Sequence, residues 1–476
     1  MINILFNKKY NFIHFLLVGS LGVFYYCYGI PFKNLPSNFN YYLIIFIYIF
    51  FFLIVLRIKK IFEIIIVLHG DKYLYFKYLF LVLWLLNTVL IFFLPEYLNI
   101  ILFFNVIFHF LFFLNSSIFT IEDAYFSFSS TIVFFIAASD GSLINSEYQI
   151  KFLNLFIIGI SVMLFSGGYE KVNSELWQKN RGVQAYIFLP YISRQFSFKF
   201  MKKLPSNLFK FFNQTIVLGQ LLIFFSLPFP ILREFFFFEE IIFSLGLWVI
   251  TELSFIGQIF TILFTFFLTI SVLVFQENNS DILNLVLSPS TFNVYDFIII
   301  SIFLFCLIRI FFDTENKILF TINKLFFNFL RFGVFTERHI FSSIYFYRGN
   351  RFINKEMNIF DEKFCYTKYN IFSPRYLQSF QYKVTDLLNK KNKKRYTDSK
   401  IIIRNYAKFI FNNSPGKAKK FDIYLASYFD IEQWKKNKKL IRSKIRPIKI
   451  CECTKNKNNF IKIKVISNNK LINYYR

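Results

Sequence analysis

The run KFLNLFIIGISVMLFSGGYEK, Lys151 to Lys171, continued by VNSELW to Trp177, decides what kind of chain this is. Lys151 to Glu170 is 20 residues, and at about 1.5 Å per residue a helix of that length covers about 30 Å, the thickness of a bilayer's hydrocarbon core. The segment therefore reads as a membrane span, and Glu170 and Lys171 arrive where hydrocarbon gives way to water. Gly167 and Gly168 precede them. A small pair lets a neighbouring backbone pack closely and loosens the helix enough for an irregular, polar-lined end. A purely structural account also covers the stretch: a packing contact, a snorkelling Lys171 and a Trp177 anchored at the interface.

The whole chain supports the membrane reading. Its 476 residues are 55% hydrophobic and only 17% charged, with a mean hydropathy of +0.46, too apolar for an ordinary soluble enzyme. The net charge of +27 suggests nucleic acid at first. Yet Phe, Ile, Asn, Lys and Tyr are all abundant, and their codons are the richest in A and T, so part of the basicity is genomic bias. Lys and Arg collect beside apolar segments and in the last third of the chain, which suits anionic lipids as partners. The basic run NKKNKKR at 389–395 has no aromatic residues interleaved, so it reads as a solvated loop and not as a nucleic-acid site.

Further spans are expected at 41–56, 77–95, 98–115, 125–139, 151–168, 214–230, 237–275 and 297–312, after an uncleaved first span behind Lys8 and Lys9. The 237–275 block is too long for one helix and reads as two with a tight turn, giving nine or ten spans in all. The fold class is thus an all-α polytopic transmembrane bundle over 1–315, followed by a basic, water-exposed α+β domain over 316–476. In that tail, 420–431 and 460–466 alternate as strands do, and 373–390 has helical spacing. Lys8 and Lys9, RIKK at 57–60, Lys72, Lys77 and the basic loop 171–210 share one side of the membrane. The positive-inside rule makes that side cytoplasmic, in a bacterial inner membrane.

The five cysteines show no CxxC spacing, so no metal site is expected; Cys451 and Cys453 share one face if they lie on a strand. No phosphate loop, H-E-x-x-H, G-x-S-x-G or haem attachment motif is present.

Gly167, Gly168, Lys171, Trp177 and Gly182 together resemble the motif of the vitamin K-dependent gamma-carboxylase and HTTM (horizontally transferred transmembrane) family. The order of a multi-span body, the motif, more spans and a soluble tail is similar as well. The resemblance implies that Lys171 is a general base acting on a reduced quinone, a role that needs the neutral amine. Beside that base, Glu170 is read as a modulator and Trp177 as an interfacial anchor. Three features depart from the family: the Lys-to-Trp spacing is one residue longer, the loop 138–151 holds no histidine, and the charge pattern puts Lys171 toward the cytoplasm where the carboxylases work on the lumenal side. Of the four histidines only His109 lies in a neighbouring expected span, where a packing role competes with a catalytic one. Glu252, inside an apolar run, needs a partner or a proton unless it sits at a hairpin turn.

Two classes of function follow. One is a quinone-linked or carboxylase-like modification of a peptide or small partner at the membrane. The alternative is a non-enzymatic membrane partner in peptide maturation or immunity, or a transporter whose path uses Glu252 and the broken 237–275 block.

Overall fold

The computed structural model describes residues 5–32, most of 35–52, 74–108 and 200–251, then 146–188, 254–277, 294–312, 344–349, 393–413, 420–426, 429–441, 448–456 and 461–466. The long helices are α1 (Asn11–Cys27), α2 (Leu74–Phe93), α3 (Ser146–Val172), α6 (Ser206–Ser226), α7 (Pro230–Ile250), α8 (Ser254–Glu277) and α9 (Val294–Phe312), with short α4 (Glu175–Gln178) and α5 (Gly182–Ile187) after α3. Apolar runs of this length adopt helix because only internal hydrogen bonds satisfy the backbone away from water. Among the described residues four helices are long and apolar enough to cross a membrane: Lys8–Cys27, Leu153–Val172, Ser206–Ser226 and Gly257–Val274. This is fewer than the nine or ten spans expected, although 125–139 and parts of 41–56 and 98–115 lie outside the described residues.

The 237–275 block does divide, into α7 and α8. Pro230 starts α7 at a position where its missing N–H is not needed. Glu239 and Glu240, which sequence could place at a turn or at mid-bilayer, fall in the middle of α7.

Every residue of α3 from Leu153 to Val172 is buried, because neighbours cover it on all sides. α1 runs antiparallel along one face: Lys8 N donates to Asn173 at one end, and Phe32 N donates to Asn154 at the other. α6 runs antiparallel along another face, where Leu221 meets Gly168 and Asn213 donates to the Trp177 carbonyl. Gly19 and Gly22 of α1 admit Leu304 and Phe303 of α9. Side chains at those two positions would hold α9 off. Far from Lys171, α3 is tied to its neighbours by a buried ion pair, Lys151 Nζ to Asp296 at 3.2 Å, with Tyr26 donating to the same carboxylate at 2.7 Å.

The tail forms an antiparallel sheet in the order β1 (Ile344–Gly349), β2 (Lys420–Ala426), β3 (Ile448–Lys455), β4 (Ile461–Val465), with helices α10 (Lys393–Asn413) and α11 (Ile431–Asn437). β4 falls inside the expected 460–466 strand. The 420–431 strand stops earlier than expected, at Ala426, because Asp430 caps α11 by accepting from Glu432 N and Gln433 N. The 389–395 run is also not all loop, since α10 begins at Lys393; the expected helix at 373–390 lies outside the described residues. Cys451 and Cys453 are buried on one face of β3 with their Sγ atoms 3.8 Å apart, as strand alternation requires. Phe429 and Trp434 join the apolar core of the helical body, and Lys438 pairs with Glu175 at 2.8 Å. The tail therefore sits at the end of the body that carries Lys8 and Trp177.

Candidate functional site around Lys171

The Gly-Gly-Tyr-Glu-Lys run splits its duties by helical phase. Tyr169 and Lys171 lie about 200° apart on α3, so they address different neighbours. On the α6 side, Gly168 has no side chain between the two backbones: a Cβ there would lie 3.0 Å from Leu221 N. That close approach brings Gln220 within reach of Lys171. Nζ donates to Gln220 Oε1 at 2.6 Å and reaches back to the Gly167 carbonyl at 3.5 Å.

Lys171 is 0% exposed, so it does not snorkel. Trp177 is buried as well, which corrects the interfacial-anchor expectation: its ring lies 5.2 Å from Nζ and covers the amine. Gly182 explains itself here, because a Cβ on it would overlap the Trp177 indole. Four motif glycines and aromatics thus build one enclosure, with Gly167 supplying a carbonyl, Gly168 the close approach, Trp177 the lid and Gly182 the space for that lid.

The α1 side takes the neighbouring residues. Glu170 accepts from Lys8 Nζ at 2.9 Å, so its carboxylate is engaged by a different cation from the one beside it in sequence. His14 is buried, 3.1 Å from the Tyr169 hydroxyl and 2.8 Å from the Leu5 carbonyl. The first helix thereby contributes a histidine to α3 that sequence spacing gave no sign of. It lies on the α1 face and not on the face that carries Lys171. His109 and Glu252 lie outside the residues whose placement is described.

The acidic neighbour of Lys171 comes from α7. Glu240 is buried and interacts electrostatically with both Lys171 and its neighbour Glu239. The Glu239 carboxylate presses on Gly219 of α6, where any side chain would collide with it. Two further groups in this layer are fully buried and lack a hydrogen-bond partner among the described residues: Gln220 Nε2 and Ser244 Oγ. Ser244 stands one turn along α7 from Glu240, on the same face. The Gln220 oxygen faces the amine, which leaves its Nε2 buried without a hydrogen-bond partner among the described residues. An amine and an amide thus meet between α3 and α6, with two carboxyls and a buried hydroxyl supplied by the adjoining stretch of α7.

Among the described residues no cluster of His, Cys, Asp or Glu could hold a metal ion. Fold and site define a helical protein with helices long and apolar enough to cross a membrane and an enclosed lysine among them. No family model, no curated protein and no solved structure matches the chain. Gln220, Glu240 and His14 were not legible as site residues, because each comes from a different helix and only packing selects it.

Proposed function

We propose that the chain is an integral membrane protein of the carboxylase and HTTM type, in which Lys171 is the general base of a quinone-linked, carboxylase-like modification of a peptide or small partner. One observation carries this reading: Lys171 is sealed from water, held by Gln220 and Trp177, while the adjacent Glu170 is occupied by Lys8. A base in such a place is oriented and kept from competing with water. The surroundings suit a quinol oxygen, since the buried Gln220 Nε2 offers a donor beside the amine and the walls are aromatic and aliphatic. A reduced quinone supplies electrons and an acidic hydroxyl. Lys171 takes the proton, and Gln220 fixes the amine that takes it. The basic loops favour, by the positive-inside rule, a cytoplasmic Lys8 end in a bacterial inner membrane.

The test uses the full chain in lipid nanodiscs with menadiol as probe, oxygen and bicarbonate present. Consumption of menadiol above that of empty nanodiscs, lost in Lys171→Met and reduced in Gln220→Ala, is the expected result. Equal consumption by wild type and Lys171→Met overturns the proposal.

A second reading, a proton-coupled transporter, is favoured by Glu239 and Glu240 lying mid-helix in α7. It predicts uptake that survives Lys171→Met and is abolished by Glu240→Gln.

A further inference from the structure

α7 contains Arg233, Glu234, Glu239 and Glu240, and it is not among the four described helices long and apolar enough to cross a membrane. Its packing says more. It has 21 residues, and Arg233 meets the Leu227 carbonyl at one end while Glu239 meets Gly219 further along, so it runs antiparallel to α6. It is likewise antiparallel to α8, with Arg233 on Ser271 and the Ser244 to Trp248 turn on Gly257. Both partners are long and apolar enough to cross a membrane, so α7 traverses the same thickness.

At about 1.5 Å per residue, Glu239 then lies about 15 Å from either end of its helix. A carboxylate at that depth is costly unless it is paired or carries a proton. Among the described residues no ion pair reaches Glu239 or Glu240, and one lysine cannot neutralise two carboxylates. The groups facing Glu239 are few. α7 supplies Glu240, α3 supplies Lys171 through Glu240, α6 offers the Gly219 backbone and no titratable residue from Asn213 to Ser226, and α8 offers none from Ser254 to Gln276. Glu239 is half-buried, whereas Glu240 is closed off.

We infer that Glu239 and Glu240 form a proton-exchange site inside the bilayer, which accepts the proton taken by Lys171 and passes it out through the half-buried Glu239. One proton enters on the amine and one leaves from Glu239. Between turnovers the amine returns to its neutral form, Glu240 having relayed the proton, and no net charge accumulates in the layer.

The inference rests on the proposed role of Lys171, yet its test reads the carboxyl itself. Full-length chain in vesicles is treated at neutral pH with lipid-soluble dicyclohexylcarbodiimide, which reacts with protonated carboxyls in apolar surroundings, and in parallel with a water-soluble carbodiimide. Mass spectrometry should locate an adduct on Glu239 with the first reagent and none with the second. Glu239→Gln should lose the adduct and slow repeated menadiol turnover at least about tenfold. An unlabelled Glu239, or equal labelling by both reagents, overturns the inference. A labelled Glu239 in a chain that leaves menadiol untouched sinks the Lys171 reading and spares the proton site; no adduct with Lys171-dependent turnover does the reverse.

Discussion

Gly168→Ala tests the contact on which the Lys171 niche depends. The added methyl would sit 3.0 Å from Leu221 N, 3.0 Å from Leu221 Cγ and 3.2 Å from the Gln220 carbonyl carbon. Comfortable separations are about 3.5–4.0 Å, so α3 and α6 must part by about 0.5 Å. Overpacking of this kind costs about 1–3 kcal/mol. Replacing glycine inside a helix also brings a gain of about 0.5–1 kcal/mol, which must be removed from the comparison. Gly246 supplies the control: it lies inside α7 and an added Cβ would meet nothing within 4 Å. The difference between Gly168→Ala and Gly246→Ala therefore isolates the steric part, because the backbone term is common to both. It should appear as a shift of roughly 5- to 150-fold in the folded-to-unfolded ratio. Unfolding in mixed micelles of dodecylmaltoside and dodecyl sulfate, followed by tryptophan fluorescence, measures it. Superimposable curves for the two variants would refute the close-approach argument, and with it the reason Gln220 reaches Lys171.

Removing one member of the buried pair at the far end, by Lys151→Met, should destabilise by about 3–5 kcal/mol in the same micelles, whereas Lys151→Met with Asp296→Asn recovers much of the loss because no charge is left unpaired. In the tail, hydrogen bonds from Lys449 and then Lys420 hold the Glu452 carboxyl down to about 2 from its ordinary 4.5. The folded state thus favours the ionised form, so this contribution is complete above pH 4.5 and fades as pH falls toward 2. Pepsin should nick β2 and β3 faster with each step downward in that window, and Glu452→Gln should flatten the dependence. If the tail docks beside the N-terminal lysines, Lys9→Cys and Lys439→Cys in a cysteine-free background should react with an impermeant maleimide from the same face of sealed vesicles; labelling from opposite faces contradicts the Lys438–Glu175 contact.

Much was readable from residues alone, and for a simple reason. An apolar run of about 20 residues has few options, since its backbone must bond to itself wherever water is absent. That constraint set the existence of α1, α3, α6, α8 and α9 and the division of the 237–275 block. Local rules also placed Cys451 and Cys453 on one face and β4 within one residue at either end. The same reasoning undercounted α7 as a site element, because Glu239 and Glu240 looked equally like turn residues until antiparallel neighbours fixed their depth.

The niche itself belongs to the tertiary structure. Sequence marked Lys171 and its glycines as unusual, but adjacency along the chain suggested Glu170 as the partner, and helical phase turned that side chain to Lys8 instead. Gln220 is 49 residues from Lys171, and Trp177 becomes a lid only because Gly182 leaves room for its ring. A single chain's pattern reports which faces are apolar. Which helix covers a given face, and which polar groups thereby meet, is chosen by packing between surfaces far apart in sequence, where small residues decide how near two backbones can come.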